Sequence, residues 1–348
     1  MRYLRTFRNI ASCEPLLWLE KKRQSEPNGR VTQSLYWCEI LSDSLGHQAY
    51  YLTGWHDQDI VAVLPLMFVR GICAKFLISV PYVNWGGVYT DDSRFTPWIL
   101  TAAVQLAEKL GADYLEVRDS AVPEDGYFRK RIGHKVLMVR ELPNSEESLW
   151  RQLGCKVRNQ VRKSIKAQLN VALGGRECIR DFYKVYAENM RHLGTPVYPL
   201  SFLKGMWRYF SERMEVVVVR KKERILAGGV LLHGNGITEI PLAASLPEER
   251  DSCANMLLYW AMLVRCIQRG SRVCDLGRCT PESGSYRFKK QWGARAEPLV
   301  WYYYPRRRNP SDWTKEHPRF QNWRQWWKRL PLSLTTWLGP HLVRGLPV

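Results

Sequence analysis

From Ala49 to Thr53 and from Asp59 to Val69, stretches rich in apolar and β-branched residues bracket the polar turn His56-Asp57-Gln58. That pattern predicts two half-buried antiparallel strands joined by a hairpin. The arrangement returns about 160 residues later, where Glu215 to Arg220 and Ile225 to His233 bracket Lys221-Lys222-Glu223. Each hairpin leads through a further strand-like stretch to a helical pattern that stops at glycine. The first such helix is predicted over Pro97 to Leu110, with Thr96 as cap, Gly111 as stop and Tyr114 to Val117 as the next strand. The second is predicted over Asn255 to Gln268, with Gly270 as stop and Val273 to Leu276 as the next strand. Hairpin, strand, helix and strand, in that order and twice over, predict two α/β domains of related fold, residues 1–150 and 151–304, followed by a tail, 305–348.

Between the copies, Leu153, Val157, Val161 and Ile165 recur at four-residue steps, while Arg158, Arg162 and Lys166 follow the same steps on the other side. This predicts an amphipathic helix. Charge changes the reading of it. The chain carries a net charge of +19, and Arg151 to Leu173 holds Arg151, Lys156, Arg158, Arg162, Lys163 and Lys166 without one acid. Such a face is either solvated or set against an anionic partner such as RNA. The tail has nine basic residues against Asp312 and Glu316. It interleaves Arg306 to Arg308, Arg324, Lys328 and Arg329 with Trp313, Trp323, Trp326, Trp327 and Trp337. Cations beside tryptophans suit an anionic membrane surface or RNA, and a tail folded back over the protein is the alternative.

Nine dispersed cysteines without a C-x-x-C pair read as reduced, mostly buried thiols, and no His stands at zinc-ligand spacing from Cys274 and Cys279, so no metal site is expected. There is no H-E-x-x-H, G-x-S-x-G or Walker pattern. No apolar run reaches the roughly eighteen residues of a membrane span, and no apolar block follows the arginines of Met1 to Arg8. The expected location is the cytoplasm, with peripheral contact at the inner face of the cytoplasmic membrane through the tail.

The stretch Asp275-Leu-Gly-Arg-Cys-Thr-Pro-Glu-Ser-Gly-Ser-Tyr-Arg-Phe-Lys-Lys-Gln-Trp-Gly293 resembles the second-domain signature of the Fem (FemAB-like) family. In that signature a strand ending in an acid leads to a glycine-containing loop, an aromatic-Lys pair and Trp-Gly. Leu64-Pro65-Leu66, Trp85-Gly86-Gly87, Lys156-x-Arg158 and Asn255-Met-Leu-Leu-Tyr-Trp260 add to the likeness, which runs from about Ser34 to Tyr304. The His192-Leu-Gly-Thr-Pro segment resembles members linked with exopolysaccharide production and exosortase (PEP-CTERM) systems.

The resemblance implies two tandem GNAT-like (acyl-CoA N-acyltransferase-like) domains with mixed, mainly antiparallel sheets, and a transfer centre in a cleft shared by both. The best-known members move an amino acid from aminoacyl-tRNA to an amine of a peptidoglycan precursor. Others use activated acyl donors and different amines. Carried over by position, Phe288-Lys289 matches the aromatic-Lys pair that holds the reacting ester or its oxyanion, which makes Lys289 the first choice of site residue. Amine attack on an ester or thioester puts negative charge on the carbonyl oxygen and requires a base for the ammonium proton. Asp275 and Glu239 are the base candidates, and Tyr286 a candidate proton donor to the leaving oxygen. Arg191, His192 and Tyr198, in a Gly- and Pro-bearing segment, together with Arg278, are candidates for substrate contact.

One departure bears on the donor. CoA-dependent GNAT enzymes carry glycines at a helix start, where backbone amides reach the pyrophosphate, and the corresponding Arg250 to Asn255 has Cys253 in place of the first. No bound cofactor is expected. The donor is aminoacyl-tRNA or an acyl-CoA or acyl-carrier protein, with tRNA leading, and the acceptor a cell-envelope precursor. A non-catalytic RNA- or membrane-binding module is the third reading, opposed by the intact Gly284-Ser-Tyr-Arg-Phe-Lys289.

Overall fold

Both hairpins form. β2 (Gln48–His56) and β3 (Asp59–Arg70) turn through Asp57 at φ 54°, and β9 (Met214–Lys221) and β10 (Arg224–His233) turn through Lys222 at φ 52°. Positive φ at the first loop residue is what a tight two-residue hairpin demands. The first hairpin is followed by β4 (Lys75–Ile78), the short β5 (Tyr89–Thr90) paired to β3, α3 (Phe95–Lys109) and β6 (Tyr114–Val117). The second is followed by β11 (Ile237–Ser245), α8 (Ala254–Gln268) and β12 (Val273–Cys279). A helical crossover returns the chain in the same direction, so β4 and β6 pair in parallel, as do β11 and β12. The protein is therefore mixed α/β with two tandem, related units, as the alternation predicts. α3 starts at Phe95, so Thr96 lies inside the helix and does not cap it.

The computed structural model describes residues 2–27, 29–71, 74–118, 128–307 and 318–346; Cys73, Arg308 and Trp313 fall outside them. With β1 (Arg2–Phe7), β7 (Arg129–Glu141), β8 (Asn170–Gly174) and β13 (Arg295–Pro305), the strands join one sheet in the order β1-β2-β3-β4-β6-β13-β7-β12-β11-β10-β9-β8. At its centre the units trade strands. β7, from the first half of the chain, lies against β12, while β13, from the second, lies against β6.

The hairpin strands are not half-buried as predicted but buried on both faces, as the second unit shows. Val216 and Val218 pack toward one face with Phe182 of α6 (Ile179–Leu193), and Val217 and Val219 toward the other with Met262 of α8. Gly228 and Gly229 permit this sandwich. A Cβ on Gly228 would come within 2.9 Å of Phe182, and one on Gly229 within 2.7 Å of the Met262 sulfur. On the α6 side, the core continues into the first half. Trp37 of α2 (Tyr36–Leu45) is 1% exposed and packs against Phe202 and Phe210 of α7 (Leu200–Phe210) at ring distances of 6.0 and 5.5 Å. A buried tryptophan of this kind contributes on the order of 3–5 kcal/mol, so this packing ties the halves together.

The basic segment is two helices and not one. α4 (Glu146–Gln152) ends where Leu153 turns extended at ψ 141°, and α5 (Cys155–Lys166) begins after Gly154. Leu153, Val157 and Val161 are buried as the pattern predicts, but Ile165 at the end is 57% exposed. Cys155 is exposed as well, an exception among the mostly buried thiols.

The C-terminal α10 (Pro318–Arg329) and α11 (Leu332–Val343) fold back on α6. Trp327 is fully buried, Arg324 Nη2 donates to Leu193 O at 3.0 Å, and Gly194 leaves no room for a Cβ against Arg324 O at 2.8 Å. No described helix is long and apolar enough to cross a membrane.

Candidate active site

β11 and β12 stay paired only from Ile237–Glu239 against Val273–Asp275 and then diverge. The gap between them opens a cavity of about 300 Å³. Ile240 to Ala243 and Leu276 to Arg278 line its flanks, α6 and the following loop contribute Tyr186 and Tyr198, and the first half of the chain contributes Thr32, Trp37, Tyr82, Val83 and Asn84. The cleft is thus shared by both halves.

Glu239 and Asp275 are the last cross-strand pair before the divergence, 3% and 2% exposed. Two carboxylates side by side in the interior need a counter-charge. Arg30, in the loop after α1 (Glu14–Ser25), supplies it: its Nη1 lies 2.5 Å from Asp275 Oδ2 and 3.7 Å from Glu239 Oε1. Gly277 N donates to Asp275 Oδ1 at 2.8 Å, and Glu239 accepts from Thr32 N at 2.9 Å and from the Thr32 hydroxyl. Burial raises both carboxyls above their ordinary range, with Arg30 opposing it.

Lys289 sits on the short α9 (Gly284–Lys290), whose first turn is fixed by Tyr286 N donating to Ser283 Oγ at 3.2 Å. Trp292, fully buried and stacked on Tyr259 at 6.0 Å, anchors the turn that follows. Lys289 is 7% exposed, and its ammonium donates to Gly277 O at 3.0 Å and Arg278 O at 3.1 Å. An ammonium has three protons to give, so one remains for a ligand. Burial pulls Lys289 down to about 8, helped by Arg278 and resisted by Cys279 and Asp275. Gly277 holds φ 80°, and a Cβ there would meet Ile240 O at 3.1 Å. A side chain at this position would be strained and would crowd the lysine's carbonyl cradle.

Of the candidate residues, Lys289, Asp275, Glu239, Tyr198 and Arg278 line the cavity together. Phe288 stands behind the wall, edge-on to the Tyr259 ring at 4.8 Å, and Tyr286 is half-buried beside Lys290. Arg191 and His192 are not in a loop but in the last turn of α6, where Arg191 Nη1 donates to Leu330 O at 3.2 Å and Nη2 lies 3.1 Å from His192 Nε2. They meet the C-terminal helices, not the cavity. Lys156, Arg162, Lys163 and Lys166 are exposed on α5, with Arg158 half-buried beside Cys155. Arg30, Thr32, Tyr82 and Asn84 escaped the sequence reading. They carry no motif, and Arg30 and Asp275 are 245 positions apart.

Residues 155–290 match the acetyltransferase (GNAT) domain family. Among curated proteins no sequence relative is found. Similar solved structures include FemX, with a TM-score of 0.65 and 15% identity over 87% of this chain and 98% of that one. L-PGS from Bacillus licheniformis follows at 0.52 and 12%, over 88% and 96%. A tandem GNAT protein from the clavulanic acid biosynthesis pathway aligns at 0.54 and 11%, over 86% and 98%. At such identities the likeness to these structures is one of fold, and the family match, over residues 155–290, gives the chain an acetyltransferase (GNAT) domain.

Proposed function

We propose that this protein transfers an aminoacyl group from tRNA to an amine of a cell-envelope precursor, a peptidoglycan peptide or an exopolysaccharide amino sugar. The observation that carries the reading is Lys289, an ammonium held by two carbonyls at the cavity wall with its third proton unassigned. In the reaction the amine nitrogen attacks the ester carbonyl carbon, the C–N bond forms, and the carbonyl oxygen takes up negative charge beside that ammonium. Collapse breaks the C–O bond to the ribose, whose oxygen leaves with a proton. A carboxylate relays that proton from the attacking nitrogen to the ribose oxygen. We choose Glu239 for that role over Asp275 because Arg30 stands farther from it, 3.7 Å against 2.5 Å.

Two features favour tRNA. The exposed cations of α5 present an acid-free face. At the start of α8, Cys253 stands in the left-handed region at φ 58°, with no glycine between Gly236 and Gly270 to let a pyrophosphate approach the backbone. An acyl-CoA or acyl-carrier-protein donor is the second reading, favoured by the GNAT domain match. Transfer from a charged-tRNA pool is expected to stop after RNase treatment, and Arg158→Glu, Arg162→Glu and Lys166→Glu together to weaken tRNA binding and flatten its salt dependence. Transfer from acyl-CoA or acyl-carrier protein without RNA, with no tRNA binding at low salt, would replace the first reading by the second.

The acceptor would be met at the inner face of the cytoplasmic membrane. Trp326 and Trp337 are 50% and 66% exposed on α10 and α11, near Arg324, Lys328 and Arg329, a combination suited to anionic lipid. Because Trp327 is buried, the test is substitution and not truncation. Trp326→Ser with Trp337→Ser should reduce sedimentation with phosphatidylglycerol vesicles at unchanged melting temperature; sedimentation equal to wild type would remove the membrane from the proposal.

A further inference from the structure

We infer that Arg278, backed by Arg118, forms an oxyanion subsite beside Lys289, which takes a carboxylate or phosphate carried by one of the two substrates. The inference rests on reading the cavity as the transfer site and deepens it by naming a chemical group the substrate must bear.

Arg278 lies in the cavity wall on the strand whose carbonyl holds Lys289. Its guanidinium stands 5.6 Å over the Trp301 ring, and its one hydrogen bond among the described residues is long, from Nη1 to Asn84 Oδ1 at 3.4 Å. Arg118 lies over the same indole at 4.3 Å and is 1% exposed. Its Nε donates to Glu116 Oε1 and its Nη1 to Val83 O, both at 2.6 Å, which leaves Nη2 buried without a partner. Glu116 thus pairs with Arg118, and Arg278 has no acid within ion-pair distance among the described residues. Burial and the Arg118 charge pull Arg278 down to about 10. An interior guanidinium without a counter-ion is costly, and its fork of donors matches a carboxylate or phosphate.

The opposing wall is held in place. Val80 and Tyr82 adopt φ of 50° and 73°, a strained region for side chains of their size. The loop is pinned by Arg118 N donating to Ser79 Oγ at 2.8 Å and Gly86 N to Arg118 O at 3.2 Å, and by Tyr82 Oη, which donates toward the carbonyls of Val343 and Leu346 at 3.3 and 3.2 Å. Arg118 thus organises the backbone that presents Asn84 to Arg278, and acts as a positioning residue. A purely structural strut would not leave one member of the pair open to the cavity.

The test reads binding, not turnover, so it can fail while the transfer reading stands. Melting temperature and calorimetric affinity are measured at fixed ionic strength with inorganic phosphate, diphosphate and acetate, against chloride. We expect phosphate species or acetate to stabilise the wild type, and Arg278→Gln to weaken that binding at least about tenfold, the loss of a charged hydrogen-bonding partner. The triple α5 variant should bind as wild type does. Whether phosphate or acetate responds distinguishes the two sources of the oxyanion. A second readout uses the unaltered protein: the same anion should protect Arg278 from phenylglyoxal, read as the mass of its peptide. No anion effect beyond chloride, equal binding by Arg278→Gln, or no protection of Arg278 would overturn the inference.

Discussion

Lys289→Met is expected to lower turnover by about 10²–10³-fold, the loss typical of removing one oxyanion donor. Methionine keeps the length and bulk of the side chain and removes only the charge and its donors. Stability should change little, because two effects oppose each other. The carbonyls of Gly277 and Arg278 lose their donor, while the cost of burying an ammonium disappears. The sign of that cost follows from the shift. Lys289 binds its proton less tightly when folded, near 8, than unfolded, near 10.5, so its contribution to stability rises as pH climbs through that window. The rate should show the same group. In the wild type kcat/KM should fall above about pH 8 as the ammonium is lost, and fall on the acid side as Glu239 takes up a proton, at a pH above the ordinary carboxylate range. The variant should lack the alkaline limb. Rates measured with any active donor and acceptor decide this, and wild-type turnover by Lys289→Met would take the residue out of the mechanism.

Arg30→Met should destabilise the fold by about 3–5 kcal/mol at pH 7.5, the loss expected when one member of a buried ion pair is removed. Without Arg30, Asp275 and Glu239 face each other uncompensated, 2% and 3% exposed. Burial already raises both carboxyls, and losing the guanidinium raises them further. A carboxyl that holds its proton more tightly when folded stabilises the fold fully below its unfolded value and loses that contribution as pH rises through its folded value. The deficit of Arg30→Met should therefore be large at pH 7.5 and shrink toward pH 4.5. Adding Glu239→Gln should recover part of it at neutral pH. Urea unfolding at several pH values makes the comparison, and a deficit independent of pH would mean that Arg30 acts through packing and not through charge.

Much of this molecule is legible in the order of its residues. The hairpins around Asp57 and Lys222, the strands β6 and β12, and the helix α8 follow from periodicity and from glycine stops, because alternation and the helical repeat are properties of the local backbone. A contiguous motif points to Lys289, and Asp275 and Arg278 lie in the same stretch. Where the local signal was ambiguous, neighbours decided. Gly154 and an extended Leu153 split the basic helix, and the helical register of α6 carried Arg191 and His192 away from the cavity toward the C-terminal helices.

What only the tertiary structure decided is the company each charge keeps. Arg30 meets Glu239 and Asp275 because the loop after α1 reaches the splay of β11 and β12, and Arg118 meets Arg278 because β13 crosses to β6 while β7 crosses to β12. Strand periodicity tells which face a residue takes but not which distant strand lies beside it. Pairing of charges in an interior depends on that adjacency, since in a poorly solvated cavity the nearest few ångströms set whether a charge is compensated, free for a ligand, or too costly to keep.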